Sequence, residues 1–559
     1  MSTGERWDAV VVGAGVGGLV CAGYLAVTGH RVLVLEHHDV AGGNSHVFRR
    51  RRAYEFDVGV HYLGDCGPDG LLTAVLAGLG LAGRVRFREL DPDGFDEIRV
   101  PGAHVRVPAD WRSYRDRLAA VLPGELPGLD TFLDVARAVA TAQRAMLLAP
   151  DPAGLRAEAG TVLAWSRRTL TDLFDHCGLS ARARTLLAAQ SPNYGLPPNR
   201  TPVTAHATVI DHYLRGAYYP VGGGQEIAAA LVEAIEAHGG AVRTRSRVRR
   251  ILVEGGAVTG VALADGRTVH TGLVVSNADY VRTVLELVGP EHFAPGIVNR
   301  ARTATPALPL VSVYVALDRE LDRADAANLW WYPHDDIERA FRRLDLGDLD
   351  EIPYLLASFG SLKEPRACPP GHANFQLMTT WPADRELWGA AGARYRRDPA
   401  YRRAKARVTD AVLAAAEAAL GPFRAHLTHV ETATPLTQER YTLSTGGTPF
   451  GLAHWGTPSD RPGVRTGIGG LYVAGQSTKQ GNGITGVAVS GITAASAITG
   501  RPLLAEVHGG AVLGDPGRLP ARTADWDALA VSRGRERRGA RGLARLDSVS
   551  SSGSAVSRS

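Results

Sequence analysis

"WDAVVVGAGVGGLVCAGYLAVTGHRVLVLE" (residues 7–36) carries the most informative pattern in this 559-residue chain. The short apolar run at 7–12 enters a glycine turn, which predicts a strand buried on both faces. Gly13, Gly15 and Gly18 give the spacing G-x-G-x-x-G, Gly17–Val27 reads as a helix, and Arg31–Leu35 reads as a second strand closed by Glu36. Gly13 allows the tight turn, Gly15 lets backbone N–H groups approach a diphosphate, and Gly18 permits close packing of helix on strand. Val16 and Gly17 belong to the same turn, at the positive end of the helix where a diphosphate is favoured. Glu36 is placed to accept hydrogen bonds from an adenosine ribose, and its charge would repel a 2′-phosphate. Strand, turn, helix and acid together make the dinucleotide-binding fingerprint, with NADP disfavoured at this site.

The rest of the chain narrows the function classes. Its length predicts two closely built domains and a tail. Apolar content of 45% and charged content of 21% are those of an ordinary globular protein. The net charge of +5 is almost all arginine on the basic side, since Lys363, Lys405 and Lys479 are the only lysines. No aromatic-plus-basic motif of the RNA-binding kind is present, so nucleic acid is not an expected partner. Cys21, Cys66, Cys177 and Cys368 lie far apart, which suggests neither a metal knuckle nor a disulfide framework. There is no G-x-S-x-G, no H-E-x-x-H and no clustered His/Cys set, so nucleophilic and metal mechanisms find no support. "MSTGERWD" leads directly into the first strand, and no apolar run reaches the roughly 18 residues that span a bilayer. The expectation is a cytoplasmic protein, with peripheral contact at a membrane surface left open.

Apolar residues at helical spacing run through much of 110–190, and another helix is predicted at 226–238. Strands are predicted at 241–244, 248–253, 257–264 and 268–275, separated by turns such as Gly255-Gly256 and Asp265-Gly266. Further strands at 310–317, 352–359 and 373–380 and a helix near 400–420 precede "GLYVAGQSTKQGNGITGVAVSG" (470–491), which holds six glycines. There a strand-like run enters a loop and then an apolar helix, so backbone is expected to approach something closely. From about 506 the composition shifts, through Arg533, Arg535, Arg537, Arg538, Arg541 and Arg545, to "SVSSSGSAVSRS", which predicts a disordered basic tail. Arg49–Arg52 reads as a solvated hairpin tip, and Lys479 as a solvated loop cation.

The pattern GxGxxGLxxAxxLxxxGxxVxVLExxxxxGG is met at Leu19, Ala22, Leu25, Gly29, Val32, Leu35, Glu36, Gly42 and Gly43. It resembles the FAD-binding head of the amine-oxidase and phytoene-desaturase superfamily. "GGNSHVF" with "FDVGVHYLG" is most similar to the retinol saturase and carotenoid isomerase branch. Many relatives carry Arg after the paired glycines, where this chain has Asn44; that weakens a direct transfer of phytoene-desaturase activity but not of FAD. Residues 218–279 resemble the family's central segment, in which Val248 passes the adenine and "VVSNAD", with Asn277, returns to the nucleotide domain. Residues 433–451 resemble the segment before the C-terminal motif. By the same resemblance Gly475 and Gln476 lie along the ribityl chain or diphosphate. The helix opening at Gly483, Ile484 and Thr485 points its N-terminus at the flavin N1/C2=O edge, where it would stabilise negative charge.

The resemblance implies an α/β fold: a discontinuous Rossmann-like FAD-binding domain of the GR2 type, with an inserted α+β substrate domain carrying a helical lid. The expected division is FAD-binding 1–105, 201–285 and 456–505, helical lid 106–200, substrate domain 286–455 and tail 506–559. It implies an FAD-dependent oxidoreductase acting on C=C bonds of a hydrophobic conjugated polyene by hydride exchange with flavin N5. The polyene could be a carotenoid, retinoid or isoprenoid, free or bound to a carrier protein, and desaturation, saturation and isomerisation all stay open. No second G-x-G-x-x-G follows a strand, so electrons would pass to or from a diffusible partner: a reductase, a quinone or oxygen. His61 and Tyr62 are the catalytic candidates on the substrate side, Asp57 is read as a backbone organiser, and "NLWWYP" (328–333) and "TTWP" (379–382) as candidate apolar walls. Two alternatives are weighed. A flavin amine oxidase commonly shows paired aromatics near the last motif, which "GQSTKQGNGITG" lacks. A prenyl-binding escort related to the Rab escort proteins would not need the fingerprint, which is intact at Gly13, Gly15, Gly18 and Glu36.

Overall fold

Strands from both ends and the middle of the chain make one five-stranded parallel sheet, in the order Leu471–Val473, Val274–Ser276, Ala9–Val12, Val32–Leu35, Ala241–Arg243. The structure is a computed structural model, described at residues 6–149, 154–345, 351–390, 392, 394–453 and 461–535. Ala9–Val12 and Val32–Leu35 are buried at every position, as a parallel sheet covered on both faces requires. The helix Val16–Val27 leaves the first strand and lies against Ile484–Thr499. A Cβ on Gly491 would stand 2.3 Å from the Gly17 carbonyl oxygen, so the two helices meet backbone to backbone. That contact is one thing the late glycines approach.

The run at 268–275, expected as one strand, is divided. Thr268–His270 closes an antiparallel sheet with Val248–Glu254 and Ala257–Leu263, whereas Val274–Ser276 belongs to the parallel sheet. Between them Thr271 Oγ1 donates to the Asp8 carbonyl (2.9 Å). Apolar periodicity is the same on both sides of such a crossing, because it registers burial and not the partner strand.

A seven-stranded mixed sheet forms the second layer, in the order Leu427–Ala433, Leu310–Leu317, Ala373–Thr380, Leu355–Ser358, Asn328–Trp331, Asp96–Val100, Ala103–Val107. Its central pair, Leu310–Leu317 and Ala373–Thr380, is in register over all eight residues. One face packs on the helix Pro399–Leu420 through Val313, Val315, Leu377, Val408 and Val412. Helices at Trp111–Val121, Leu126–Leu148, Arg156–Trp165, Leu170–His176 and Ala181–Ala188 occupy the region read as a lid, and Val203–Leu214 follows just beyond it.

The expected disorder from 506 onward is corrected as far as Arg535. Helices Leu503–His508 and Ala528–Val531 are formed, and the Ser532 carbonyl accepts from Ala41 N (2.8 Å), beside the paired glycines. Arg522 stacks on Trp526 (3.8 Å) and donates to Glu226 (3.1 Å) and Glu233 (3.0 Å), while Trp526 Nε1 donates to the other Glu233 oxygen (2.7 Å). Local composition cannot reveal these partners, which lie nearly 300 residues away on the helix Gln225–Ala237. Residues 536–559, with Arg537, Arg538, Arg541 and Arg545, are outside the described residues. Arg522→Ala is expected to cost about 1.5–3 kcal/mol, typical of hydrogen bonds to charged groups. Limited proteolysis should then release the segment after 515 faster, at a lowered Tm.

The arginine run is likewise only half solvated. Arg51 and Arg52 stand exposed at the tip of the hairpin Val47–Arg50/Tyr54–Asp57, but Arg49 pairs with Glu55 (2.7 Å) and Asp527 (2.9 Å), and Arg50 with Glu431 (2.5 Å). Lys479 is exposed, as read.

Candidate functional site

A cavity of about 600 Å³ lies between the parallel sheet and the seven-stranded sheet. Gly13, Gly15, Val16, Gly17, Glu36, Gly42, Gly43, Asn44, Val248, Asn277, Gly475, Gln476, Gly483 and Ile484 all line it, together with His61 and Tyr62. Residues separated by more than 400 positions are thus gathered on one wall. Two residues proposed for the cofactor stand behind that wall. A Cβ on Gly18 would lie 2.3 Å from the Gly13 carbonyl oxygen, so Gly18 serves the strand–helix packing. Thr485 turns its hydroxyl to the Gly64 carbonyl (3.4 Å) and is 7% exposed.

Three glycines from two segments of the chain converge on one amide. Cβ atoms added at Gly15, Gly17 and Gly475 would stand 2.9, 2.9 and 2.7 Å from the side-chain amide of Asn277, whose Nδ2 donates to the Gly13 carbonyl (3.4 Å). The glycines leave the room that Asn277 occupies, and backbone rather than side chain faces the cavity. Glu36 is held rigidly: Ala14 N donates to one carboxylate oxygen (2.8 Å) and His38 N to the other (2.7 Å). Asn44 is tied to the 433–451 segment, its Nδ2 donating to the Pro449 carbonyl (3.3 Å) and its Oδ1 accepting from Gln438 (2.7 Å).

The walls of the other end differ from expectation. Trp330 is fully buried and donates to Asp96, and Trp381 packs in the core on the far face of the seven-stranded sheet; neither reaches the cavity. Leu310, Tyr314, Tyr354, Leu356, Met378 and Phe450 line it instead. Strand alternation decides which face each residue shows, and composition could not say which sheet face would carry the cavity.

His61 lines the cavity, and among the described residues its ring nitrogens have no hydrogen-bond partner. Burial and the neighbouring Lys363 charge push its pKa down to about 3, so the ring is neutral. Tyr62 shows its ring to the cavity at 4.2 Å from Tyr213, but its hydroxyl donates to Asp96 (2.9 Å) and accepts from Asn193 (3.0 Å). Burial raises the Tyr62 hydroxyl well above its ordinary range. This phenol therefore acts as a wall held in place, not as a ready acid.

Sequence reading missed the groups behind His61 and Tyr62. Asp96 is wholly buried and also accepts from Gln190 (2.6 Å), Asn328 (2.9 Å) and Trp330 (2.9 Å). Burial lifts its pKa to about 6 against these donors. Lys363, 3% exposed, donates to the His61 carbonyl (2.7 Å), to Ser358 Oγ (2.8 Å) and to Asn328 Oδ1. Burial lowers it to about 7, with Asp96 and Asp57 opposing. Asp57, besides accepting from Gly224 N (2.8 Å) as a backbone organiser would, accepts from the Tyr219 hydroxyl, and burial raises it to about 7. The one available signal was a lysine in a chain that otherwise uses arginine.

These residues fit an FAD. The helices Val16–Val27 and Ile484–Thr499 both begin at glycine N-caps, Gly15 and Gly483, with no side chain bonded to the first turn. Both caps line the cavity. Their free N–H groups suit a diphosphate and an electron-rich ring edge. Among the described residues no group of three or more His, Cys, Asp or Glu could hold a metal.

Known proteins agree with this geometry. The profile of the flavin containing amine oxidoreductases matches residues 16–499. The all-trans-retinol 13,14-reductase of Homo sapiens is 30% identical over 65% of this chain and 63% of its own length, and that of Danio rerio 27% over 89% and 87%. The alignment thus spans less than two thirds of the human protein. The chloroplastic prolycopene isomerase of Daucus carota is 26% identical over 88% of this chain and 80% of its own. An oxidoreductase of Methanosarcina mazei shares the fold, with a TM-score of 0.59 at 19% identity over 87% of this chain and 99% of that one. With the fingerprint, the two open helix N-termini and a profile match over most of the chain, this protein belongs to the flavin-containing amine oxidoreductase family and is an FAD-dependent oxidoreductase.

Proposed function

We propose that this enzyme acts on a carbon–carbon double bond of a hydrophobic conjugated polyene, a retinoid or carotenoid-like molecule, in the saturating direction. The observation that carries this reading is the apolar stretch of the cavity wall, formed by Leu310, Leu356, Met378, Phe450 and the rings of Tyr314 and Tyr354. Flat rings and flexible apolar side chains suit a long apolar substrate. The names of the reductase and isomerase relatives support the same class. FAD, when bound, supplies a centre that gives or takes hydride. The chain's own residues bind the nucleotide at Gly13–Gly17, Glu36 and Gly475–Ile484, present the apolar wall, and keep water from the polyene. His61 is the polar side chain placed to handle a proton there.

Electrons for this step reach the flavin from a diffusible reductase or a quinol, since one fingerprint serves one dinucleotide. The helices of 111–214 provide the surface over which a lipid-soluble substrate enters from a membrane. No helix of the described residues is long and apolar enough to cross one. Isomerisation is the second reading, favoured by the resemblance to prolycopene isomerase over most of the chain.

The test is anaerobic. Chemically reduced holoenzyme is mixed with all-trans-retinol or with a poly-cis carotene, while oxidised holoenzyme is mixed with a primary amine. Saturation predicts that the polyene band falls as the oxidised flavin band returns, one double bond per flavin. A shifted polyene spectrum with the flavin still reduced supports isomerisation. Bleaching of oxidised flavin by the amine, with both polyenes unchanged, overturns the proposal in favour of amine oxidation.

A further inference from the structure

Behind His61 lies a second cavity of about 20 Å³, whose wall includes Asp57, His61, Tyr219, Lys363 and Gln376. A cavity of this size holds one water, which needs about 10–15 Å³ and at least two polar partners. His61 belongs to the wall of both cavities, so this residue stands between the small one and the large one. Gln376 is 5% exposed, and its Nε2 has no hydrogen-bond partner in the protein. A buried donor left unmet is costly, and a water in this cavity satisfies it. Lys363 cannot do so: it has donors only, and it directs three of them to His61 O, Asn328 Oδ1 and Ser358 Oγ. Each Asp57 oxygen accepts one bond from the protein, from Tyr219 or from Gly224, and keeps a further lone pair.

We propose that this cavity binds one water, which accepts from Gln376 and joins the Asp57 carboxyl to the His61 ring, making a proton relay that opens on the main cavity. The proposal deepens the polyene reading and rests on it only for the identity of the final acceptor. Asp57 gives its proton to the water, and the water gives one to the near nitrogen of His61. The far nitrogen of His61 gives its own proton to the acceptor in the main cavity. One proton has moved, the ring is again neutral in its other tautomer, and Asp57 is left a carboxylate until solvent reprotonates it. The groups facing Asp57 are Glu55 on its own strand, Tyr219, the Gly224 N–H, Lys363, Glu364 and Tyr314. The Lys363 ammonium balances the carboxylate as it forms. A carboxyl titrating near 7 is protonated often enough to supply the relay, and a ring that resists charging passes protons without storing one.

The test uses holoenzyme and two variants, Asp57→Asn and Gln376→Leu. A high-resolution crystal structure is expected to show a water within hydrogen-bond distance of Gln376, Asp57 and His61. Infrared pH titration should show a protonated carboxyl that ionises near pH 7 and is missing in Asp57→Asn. Gln376→Leu, which removes the amide donor while keeping a side chain of similar size, should keep the flavin and its spectrum. Its single-turnover proton delivery should slow by about 100-fold, within the range of general acid catalysis. A dry cavity, a band that persists in Asp57→Asn, or undiminished turnover in Gln376→Leu overturns the relay. If Asp57→Asn does not fold, the water and Gln376→Leu decide. Failure to act on any polyene, with water and band present, defeats the substrate reading and leaves the relay standing.

Discussion

Gly15→Val gives a folded protein that no longer retains FAD. Gly15 caps the helix Val16–Val27 with φ −67°, a conformation open to any residue, so the backbone is not strained. The added Cβ meets only the amide of Asn277, at 2.9 Å, and its methyl groups enter the cavity where the diphosphate belongs. Overpacking of this kind costs about 1–3 kcal/mol, or roughly 5- to 150-fold in affinity. Gly18→Val is the contrasting case. There the Cβ falls 2.3 Å from the Gly13 carbonyl oxygen, inside the fold, and helix and strand must separate. Flavin content after gel filtration, compared with circular dichroism, distinguishes the two: Gly15→Val loses colour and keeps helix, while Gly18→Val loses both. A yellow Gly15→Val protein would mean that the diphosphate lies elsewhere.

Asp96→Ala should be the most destabilising single change near the cavity. It removes a buried carboxylate that accepts from Tyr62, Gln190, Asn328 and Trp330, and leaves four donors and the Lys363 charge without it. Breaking a buried charged network in this way costs about 3–5 kcal/mol, which lowers Tm by about 3–4 °C in a chain of this length. Asp96→Asn keeps most of the acceptor geometry and tests the electrostatics. The folded pKa of Asp96, about 6, is raised above the ordinary carboxylate value near 4. The stabilisation linked to its proton is therefore fully present below about pH 4 and lost as pH rises through about 6. Wild type should lead Asp96→Asn most at pH 4, and the lead should shrink by pH 7. A lead that widens instead would show that the four donors outweigh burial and hold the charged form.

The two catalytic candidates divide along the same line. His61 and Tyr62 were legible as neighbours of the site because "FDVGVHYLG" resembles a known segment, and both do line the cavity. Their roles were not legible. Tyr62 differs from an acid catalyst only through Asn193 and Asp96, which reach it from elsewhere in the chain. The apolar walls failed for a similar reason: Trp330 and Trp381 were chosen as large flat residues, but each points into a core. Arg522 looked like part of a tail until its carboxylates on the helix Gln225–Ala237 were in view.

By itself the sequence determined whatever depends on residues close together in the chain. It gave the strand–glycine–helix unit and its acid, the glycine-capped helix N-termini, and the full-length strands at 310–317 and 373–380. Backbone conformation and hydrogen-bond capacity set these over a few residues. Only the tertiary structure decided which residues share a wall. It divided 268–275 between two sheets, brought Asn277 against glycines of two distant segments, and placed Lys363 and Asp57 behind His61. The physical reason is that a buried polar group takes its properties from what surrounds it, through desolvation and the charges and donors within a few ångströms. Those neighbours come from strands far apart in the chain, and no local pattern of residue types records them.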